Sequence, residues 1–177
     1  MINKIIQGLW LLIEKILRWC ISPYLRAFLL RLLGAKIGVN VRVYEVKFFN
    51  LRCGFKNLII EDDVHIGTDA LIDLSEKVVI KRGATISPRV TLLTHINPGS
   101  FHHHPLCKIY PPRSMPIEIG RYSWLGTLSI IMPGVKIGEK AAIGANSLVN
   151  SDIPPNSLSF GIPAKVIKEN ILNAGKE

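Results

Sequence analysis

His95 is the residue whose place in the sequence best suits it to chemistry. It follows Thr94 at the point where a regular rhythm of aliphatic residues stops. An imidazole titrates near neutrality, so a His held at such a point can take a proton from a hydroxyl group. A loop His with no task is the alternative, and His95 needs support from other residues to escape it. His102, His103 and His104 follow in the same stretch. Three adjacent imidazoles cannot chelate one ion with good geometry, so no metal is expected, and contact of His102 with an acceptor suits them better. Arg113 lies there too, able to hold an acidic sugar or a lipid-linked phosphate, or simply to be solvated. Cys20, Cys53 and Cys107 are odd in number and contain no CxxC pair. That argues against a disulfide framework and a zinc knuckle, and fits a reducing cytoplasm.

The elements that must hold these residues are announced by a repeat. Ile119, Leu125, Ile131, Ile137, Ile143 and Val149 return every sixth position, and Gly follows four of them. Four places after each of the first five stand Ser123, Ser129, Val135, Ala141 and Ser147. A period of six is neither helical nor a plain strand alternation. It suits one flat side of a coiled ribbon, with three sides per coil, aliphatic residues inward and successive coils paired as parallel strands about 4.8 Å apart. The same rhythm runs through Ile60, Ile66, Ile72, Ile80, Ile86 and Leu92, with a step of eight between Ile72 and Ile80 that predicts a corner bulge near residues 75–77. Residues 46–57 lose the register. Between Leu92 and Ile119 it vanishes, and Pro98, Pro105, Pro111, Pro112 and Pro116 mark residues 95–116 as a loop ejected from the coil.

Before the repeat, residues 1–34 read as two amphipathic helices. Ile2, Ile5, Ile6, Leu9, Leu12, Ile13, Ile16 and Leu17 form the apolar face of the first. Ser22 is an N-cap for the second, with Pro23 at its first position and Gly34 as its stop. Tyr24, Leu25, Phe28, Leu29, Leu32 and Leu33 form its apolar face, with Arg26 and Arg31 off it. The uncharged run from Ile5 to Ile13 is shorter than the ~20 residues of a membrane span, and no cleavage site marks a signal peptide. Two readings stand: a cap over the open end of the repeat domain or between subunits, and a segment lying in a membrane interface, with Trp10 and Trp19 at headgroup level. The formal net charge is +9, and residues 1–36 carry six basic side chains against one acidic. That clustering favours an anionic lipid surface over nucleic acid, which is not expected as a partner.

The runs containing Trp124 and Gly126, Met132-Pro133-Gly134-Val135, and Gly161-Ile162-Pro163-Ala164-Lys165, in that order, resemble the hexapeptide-repeat acetyltransferases. The pattern is most similar to the maltose, galactoside and nodulation-factor type and to exopolysaccharide O-acetyltransferases. The resemblance covers about residues 58–168. It implies a left-handed parallel β-helix over residues 35–164, with residues 165–177 as a short C-terminal helix. It implies an O-acetyltransferase that uses acetyl-CoA, with His95 as general base and a sugar of the cell envelope or of an exopolysaccharide as acceptor. Trp124 and Gly126 would wall the pantetheine slot, with Thr127 beside the thioester and an N–H near Gly126 or Thr127 holding the oxyanion. Ala145 would let the arm pass close to the backbone. Asn150 and Ser151 match cofactor contacts in the family, and Lys165 and Lys168 match positions that meet the nucleotide phosphates. Asp73, His102 and Arg113 are the acceptor-side candidates. The family also implies a homotrimer with the site between neighbours. The cysteine usage points to the cytoplasm, and the amphipathic residues 1–33, on the second of their two readings, would make the protein peripheral on the inner membrane face.

Two departures stand out. No acidic residue follows His95 to orient it; Ile96 does, which leaves a backbone carbonyl, Glu118 or Asp73 for that task. The stretch corresponding to the family's acceptor-contacting Asn, residues 65–73, has no Asn. Competing readings are an N-acetyltransferase on an amino sugar, a γ-type carbonic anhydrase and a non-catalytic trimer. The second lacks its close His pair, since His65 and His95 are thirty residues apart.

Overall fold

A period of six per side demands that three hexapeptides close one coil, and the strand register meets that demand. In the computed structural model, which describes residues 2–99 and 105–171 (the first three as backbone only), Ile119 pairs with Ile137, Leu125 with Ile143 and Ile131 with Val149. Each pair is eighteen residues apart. The chain forms a three-sided prism of parallel strands. Strands Lys36–Ile37, Leu58–Ile60, Val78–Ile80, Ile117–Ile119 and Lys136–Ile137 stack on the first face. The second face runs Arg42–Val43, His65–Ile66, Thr85–Ile86, Trp124–Leu125, Ala142–Ile143 and Leu158–Gly161. The third runs Val46–Phe49, Ala70–Asp73, Thr91–Leu92, Ile130–Ile131 and Leu148–Val149. Buried Ile60, Ile66, Ile72, Ile80, Ile86, Leu92, Ile119, Leu125 and Ile131 make a continuous apolar column inside.

The small residues of the repeat shape the corners. The buried Ser123 and Ser147 hydroxyls each donate at 2.8 Å to the carbonyl three residues back, on Gly120 and Gly144. A Cβ on Gly126 would lie 2.6 Å from Ala145 N and from Ile143 O, so the coils could not close to this spacing with a larger residue. Left-handed backbone also recurs at the turns, at Asp63, Asp69, Arg89, Tyr122, Leu128, Lys140 and Asn146. Asn and Asp adopt it readily. At Arg89 and Leu128 the stacked turns impose it, each N–H donating to the carbonyl of the turn below, on Thr68 and Pro88.

Residues 46–57, unreadable as repeat, do belong to the coil. Val43 pairs with Ile66 and Val46 with Ala70, so one residue is missing from the first corner. The register of the sequence slips there although the third face continues. The ejected loop leaves through His95–Ile96 and returns through Arg113–Ser114, paired antiparallel at its base. Pro105–Lys108 makes a short 3-10 turn within it.

The N-terminal helices are Ile2–Arg18 (α1) and Pro23–Leu32 (α2). Ser22 caps α2 as expected, its hydroxyl accepting from Leu25 N. The expected faces are corrected. Trp10, Ile13 and Leu17 of α1 turn inward, Trp10 packing edge-on against Phe55 at 5.8 Å. Trp10 is therefore not at a headgroup surface. Arg26, read as lying off the packed face of α2, is buried with Ala27 and Leu30. Its guanidinium donates to the carbonyls of Leu17, Arg18 and Cys20 at the end of α1 and of Val43 in the first coil. A cation there satisfies carbonyls that the helix end leaves open, which outweighs the apolar pattern. Glu14, also buried, accepts from Phe48 N on the open edge of the third face. The helices thus cap the prism. No helix among the described residues is long and apolar enough to cross a membrane.

The expected helix over 165–177 is corrected as well. Ala164–Lys168 is a strand that turns back antiparallel on Leu158–Gly161. It adds to the second face where the last coil would otherwise expose a strand edge. Residues 172–177 lie outside the described residues.

Candidate active site

Asp73 organises the site. It ends a strand of the third face and is wholly buried, 0% exposed. A buried carboxylate must be matched by donors, and five converge on it. Oδ1 accepts from Asn50 Nδ2 at 2.9 Å and Ser75 N at 3.0 Å. Oδ2 accepts from Thr94 N at 3.0 Å, His95 N at 3.1 Å and His95 Nδ1 at 2.5 Å. Burial alone would push its pKa up, but the bonds from His95, Asn50 and Ser75 together with the His95 charge outweigh it, and the net shift is downward. Asp73 is therefore ionised at neutral pH.

An ionised acceptor against Nδ1 selects the tautomer of His95 that carries its proton there. Nε2 is left with its lone pair, on a half-buried ring lining a groove of about 420 Å³. The groove runs between the 50–52 turn and the base of the ejected loop, and Asn97, Arg113 and Ser114 line it on the loop side. Asn50 Nδ2 sits 3.3 Å from Nδ1. Both atoms carry protons, so this is a close approach; the bond of Asn50 goes to Asp73.

Asp73, expected to contact the acceptor, instead lies behind His95 and holds it. Glu118, the other carboxylate considered for that task, pairs with Lys81 at 2.5 Å on the first face. Asn50 was missed. It lies in the stretch that loses register, so no repeat position marked it; its residue type suits the corner, where φ is +58° and Asn tolerates that backbone. The corner that sequence reading found empty of Asn is filled from one coil earlier.

The expected donor-side residues stand elsewhere on the prism. Trp124 projects from the second face between Thr85 and Ala142, its Nε1 donating to Ser87 Oγ at 2.9 Å. Gly126, Thr127 and Ala145 stack at the next corner, between the second and third faces. The Gly126 N–H is given to Ile143 O at 2.8 Å, which removes it as an oxyanion donor. The N–H groups of Thr127 and Ala145 have no partner among the described residues. Lys165 and Lys168 are exposed on the added strand of the second face. Asn150 and Ser151 are exposed at the corner of His95, two coils further along. A single chain thus brings together His95, Asp73 and Arg113, and separately Trp124, Thr127 and Ala145, but not the two groups. His102 lies outside the described residues. His65, on the second face, is also remote from His95, and no three metal-binding side chains are grouped among the described residues.

Known proteins place this architecture. The family described as bacterial transferase hexapeptide (six repeats) matches residues 116–151. Galactoside O-acetyltransferase of Escherichia coli (strain K12) is 34% identical over 148 residues, covering 81% of this chain and 68% of that one. An E. coli (strain K12) protein provisionally named colanic acid biosynthesis acetyltransferase WcaF is 33% identical over 171 residues, 94% of this chain and 87% of that one. A solved galactoside acetyltransferase in complex with coenzyme A superposes with a TM-score of 0.68 at 31% identity, covering 93% of this chain and 82% of that one. A hexapeptide-repeat acetyltransferase from Vibrio cholerae superposes with a TM-score of 0.80 at 22% identity, covering 94% and 87%.

Proposed function

The chain belongs to the hexapeptide-repeat acetyltransferases, acyltransferases built on the left-handed parallel β-helix, and from that premise we propose that it moves the acetyl group of acetyl-CoA to a hydroxyl of a cell-envelope saccharide. The observation that carries this reading is the Asp73–His95 pair at the floor of an open groove. Nε2 takes the proton of an acceptor hydroxyl as its oxygen attacks the thioester carbonyl. Asp73 stabilises the imidazolium that forms. The tetrahedral oxyanion accepts from a backbone N–H, for which Thr127 is the candidate. Collapse breaks the C–S bond, and the departing thiolate receives the proton from Nε2. The sugar and envelope assignment rests on the galactoside and colanic acid relatives; transfer to an amino group is the second reading of the same machinery.

The donor would lie against Trp124 and Ala145, with its phosphates toward Lys165 and Lys168 and with Asn150 and Ser151 among its contacts. The separation of this surface from His95 supports a homotrimer in which the second face of one subunit meets the His95 corner of the next. The outer stripe of α1 supports peripheral membrane contact. Ile5, Leu9, Leu12 and Ile16 fall within one 60° sector at 100° per residue and all are exposed, as is Trp19 just past the helix end, by 84%. Because Leu17 and Leu30 seal the prism, deleting the helices would open the core. Leu9→Ser with Leu12→Ser is the cleaner probe, and it should abolish flotation with anionic vesicles while the fold persists.

The deciding experiment pairs His95→Ala and Trp124→Ala, read by acetyl-CoA-dependent thiol release on a glycan panel. Each variant alone should be inactive, and refolding the two together should restore part of the activity, since some interfaces then combine an intact His95 with an intact Trp124. Full activity of His95→Ala would remove the general base from the proposal, and failure of mixed refolding would remove the shared site.

A further inference from the structure

Arg52 and Arg113 line the same groove as His95, one from each wall. Arg52 follows Asn50 by two residues, its N–H donating to Asn50 O. Arg113 stands opposite Ile96 across the base of the ejected loop. Both side chains are exposed, and neither guanidinium has a partner among the described residues. Arg18, Arg82 and Arg121, by contrast, each face a carboxylate, and Arg26 and Arg31 are spent on carbonyls. Asp73 is buried behind His95 with its oxygens engaged, and Glu76, which follows the groove-lining Ser75, makes no ion pair with either arginine. The groove therefore carries two guanidiniums that no carboxylate among the described residues faces at ion-pair distance.

An oxyanion on the acceptor would neutralise both guanidiniums and match their forked donors, which a neutral acceptor cannot do. We propose that Arg52 and Arg113 form an anion subsite that selects acidic acceptors, placing a phosphate or carboxylate of the glycan next to the hydroxyl to be acetylated. The proposal rests on the O-acetyltransferase reading above and names its substrate class. A second groove, of about 240 Å³, shares Asn50 and Arg52 with the first and continues to Gln7 and Leu11 of α1. It leaves room for the remainder of such a molecule along the flank of α1 that bears Gln7 and Leu11.

The test reads anion binding without acetyl transfer, so it is independent of whether His95 is the base. Carbethoxylation of His95 by diethylpyrocarbonate is followed by peptide mapping in the presence of inorganic pyrophosphate, glucuronate or methyl glucoside. At least one of the two anions should slow modification of His95, and methyl glucoside should not. In Arg52→Gln and in Arg113→Gln, the half-protecting concentration should rise about tenfold, as expected for loss of one charge-assisted hydrogen bond. Protection by pyrophosphate alone identifies a phosphate linkage; protection by glucuronate alone identifies a uronic acid. Anions that protect no better than methyl glucoside, or a half-protecting concentration unchanged in the double variant, overturn the subsite. Loss of transfer in His95→Ala with protection intact in the wild type leaves both readings standing, whereas full transfer in His95→Ala strikes the mechanism alone.

Discussion

Replacing Asp73 by Asn tests the site at its most buried point. The amide can sit in two ways. With its nitrogen at the Oδ2 position it would face Thr94 N, His95 N and His95 Nδ1, three donors at 3.0, 3.1 and 2.5 Å. With its nitrogen at Oδ1 it faces two, Asn50 Nδ2 and Ser75 N, and Asn50 can turn its own carbonyl to meet it. The second arrangement wins. It keeps Nδ1–H bonded to an oxygen, so the tautomer of His95 survives, but the negative charge is gone. An imidazolium and a carboxylate centred about 4 Å apart attract by about 4 kcal/mol at an effective dielectric constant of ~20. That attraction exists only once the ring is protonated, so its loss falls on the transition state. A kcat reduced by about 10²–10³ is expected. The orphaned Ser75 N–H costs a further ~1–3 kcal/mol of stability, read as a lower Tm at neutral pH. Because the native pKa of Asp73 is depressed, its stabilisation is present above the usual carboxylate pKa and is lost as pH falls through the native value. The Tm gap between wild type and Asp73→Asn should therefore close in acid. The assay is thiol release with the best acceptor, with melting curves across pH. Acetyl-CoA affinity should not change. A kcat within threefold of wild type, or a defect confined to the KM for acetyl-CoA, refutes the role given to this pair.

Other substitutions test the scaffold. Arg26→Ala strips four carbonyls of their buried donor and should destabilise the protein by about 3–5 kcal/mol; limited proteolysis should then cut first between the helices and the first coil. Gly126→Ala forces a Cβ to within 2.6 Å of backbone atoms in the next coil and should cost about 1–3 kcal/mol, with acetyl-CoA binding weakened because Thr127 and Ala145 shift; an unchanged Tm would mean the coils part more easily than their packing indicates. Burial, and then the charge of Arg42, lower the pKa of His65, so its neutral form is favoured in the folded state. Stability should fall as pH drops from about 6.5 toward the native value, and His65→Gln should flatten that slope in melts across pH.

The prism itself was legible in residues. Ile119, Leu125 and Ile131 repeat at six, and because three sixes make one coil, each lands on its partner eighteen residues later. The break after Leu92 likewise announced the ejected loop. The legibility failed where local pattern and tertiary need diverged. Val43 to Val46 is one residue short of a full corner, which hid a strand of the third face and, with it, Asn50. Apolar spacing in α2 pointed to Phe28 and Leu32 as packed, yet both are exposed while Arg26 is buried, since periodicity cannot register four carbonyls in search of a donor.

By itself, then, the sequence determined the coil, its period, the place where it opens and the His that stands there. A repeat is a statement about neighbours one coil apart, and any chain that stacks its aliphatic residues at that spacing must close in the same way. Which side chains meet at a corner was left to the tertiary structure. His95 received Asp73 from twenty-two residues earlier and, behind it, Asn50 from forty-five, because a solenoid brings residues one and two coils back into contact at a single edge. The same stacking kept Trp124, on the second face, and Thr127, at the corner that follows it, away from the edge of His95. Folding gathers His95 and Asp73 at one edge, and by the same geometry keeps Trp124, Thr127 and Ala145 apart from them.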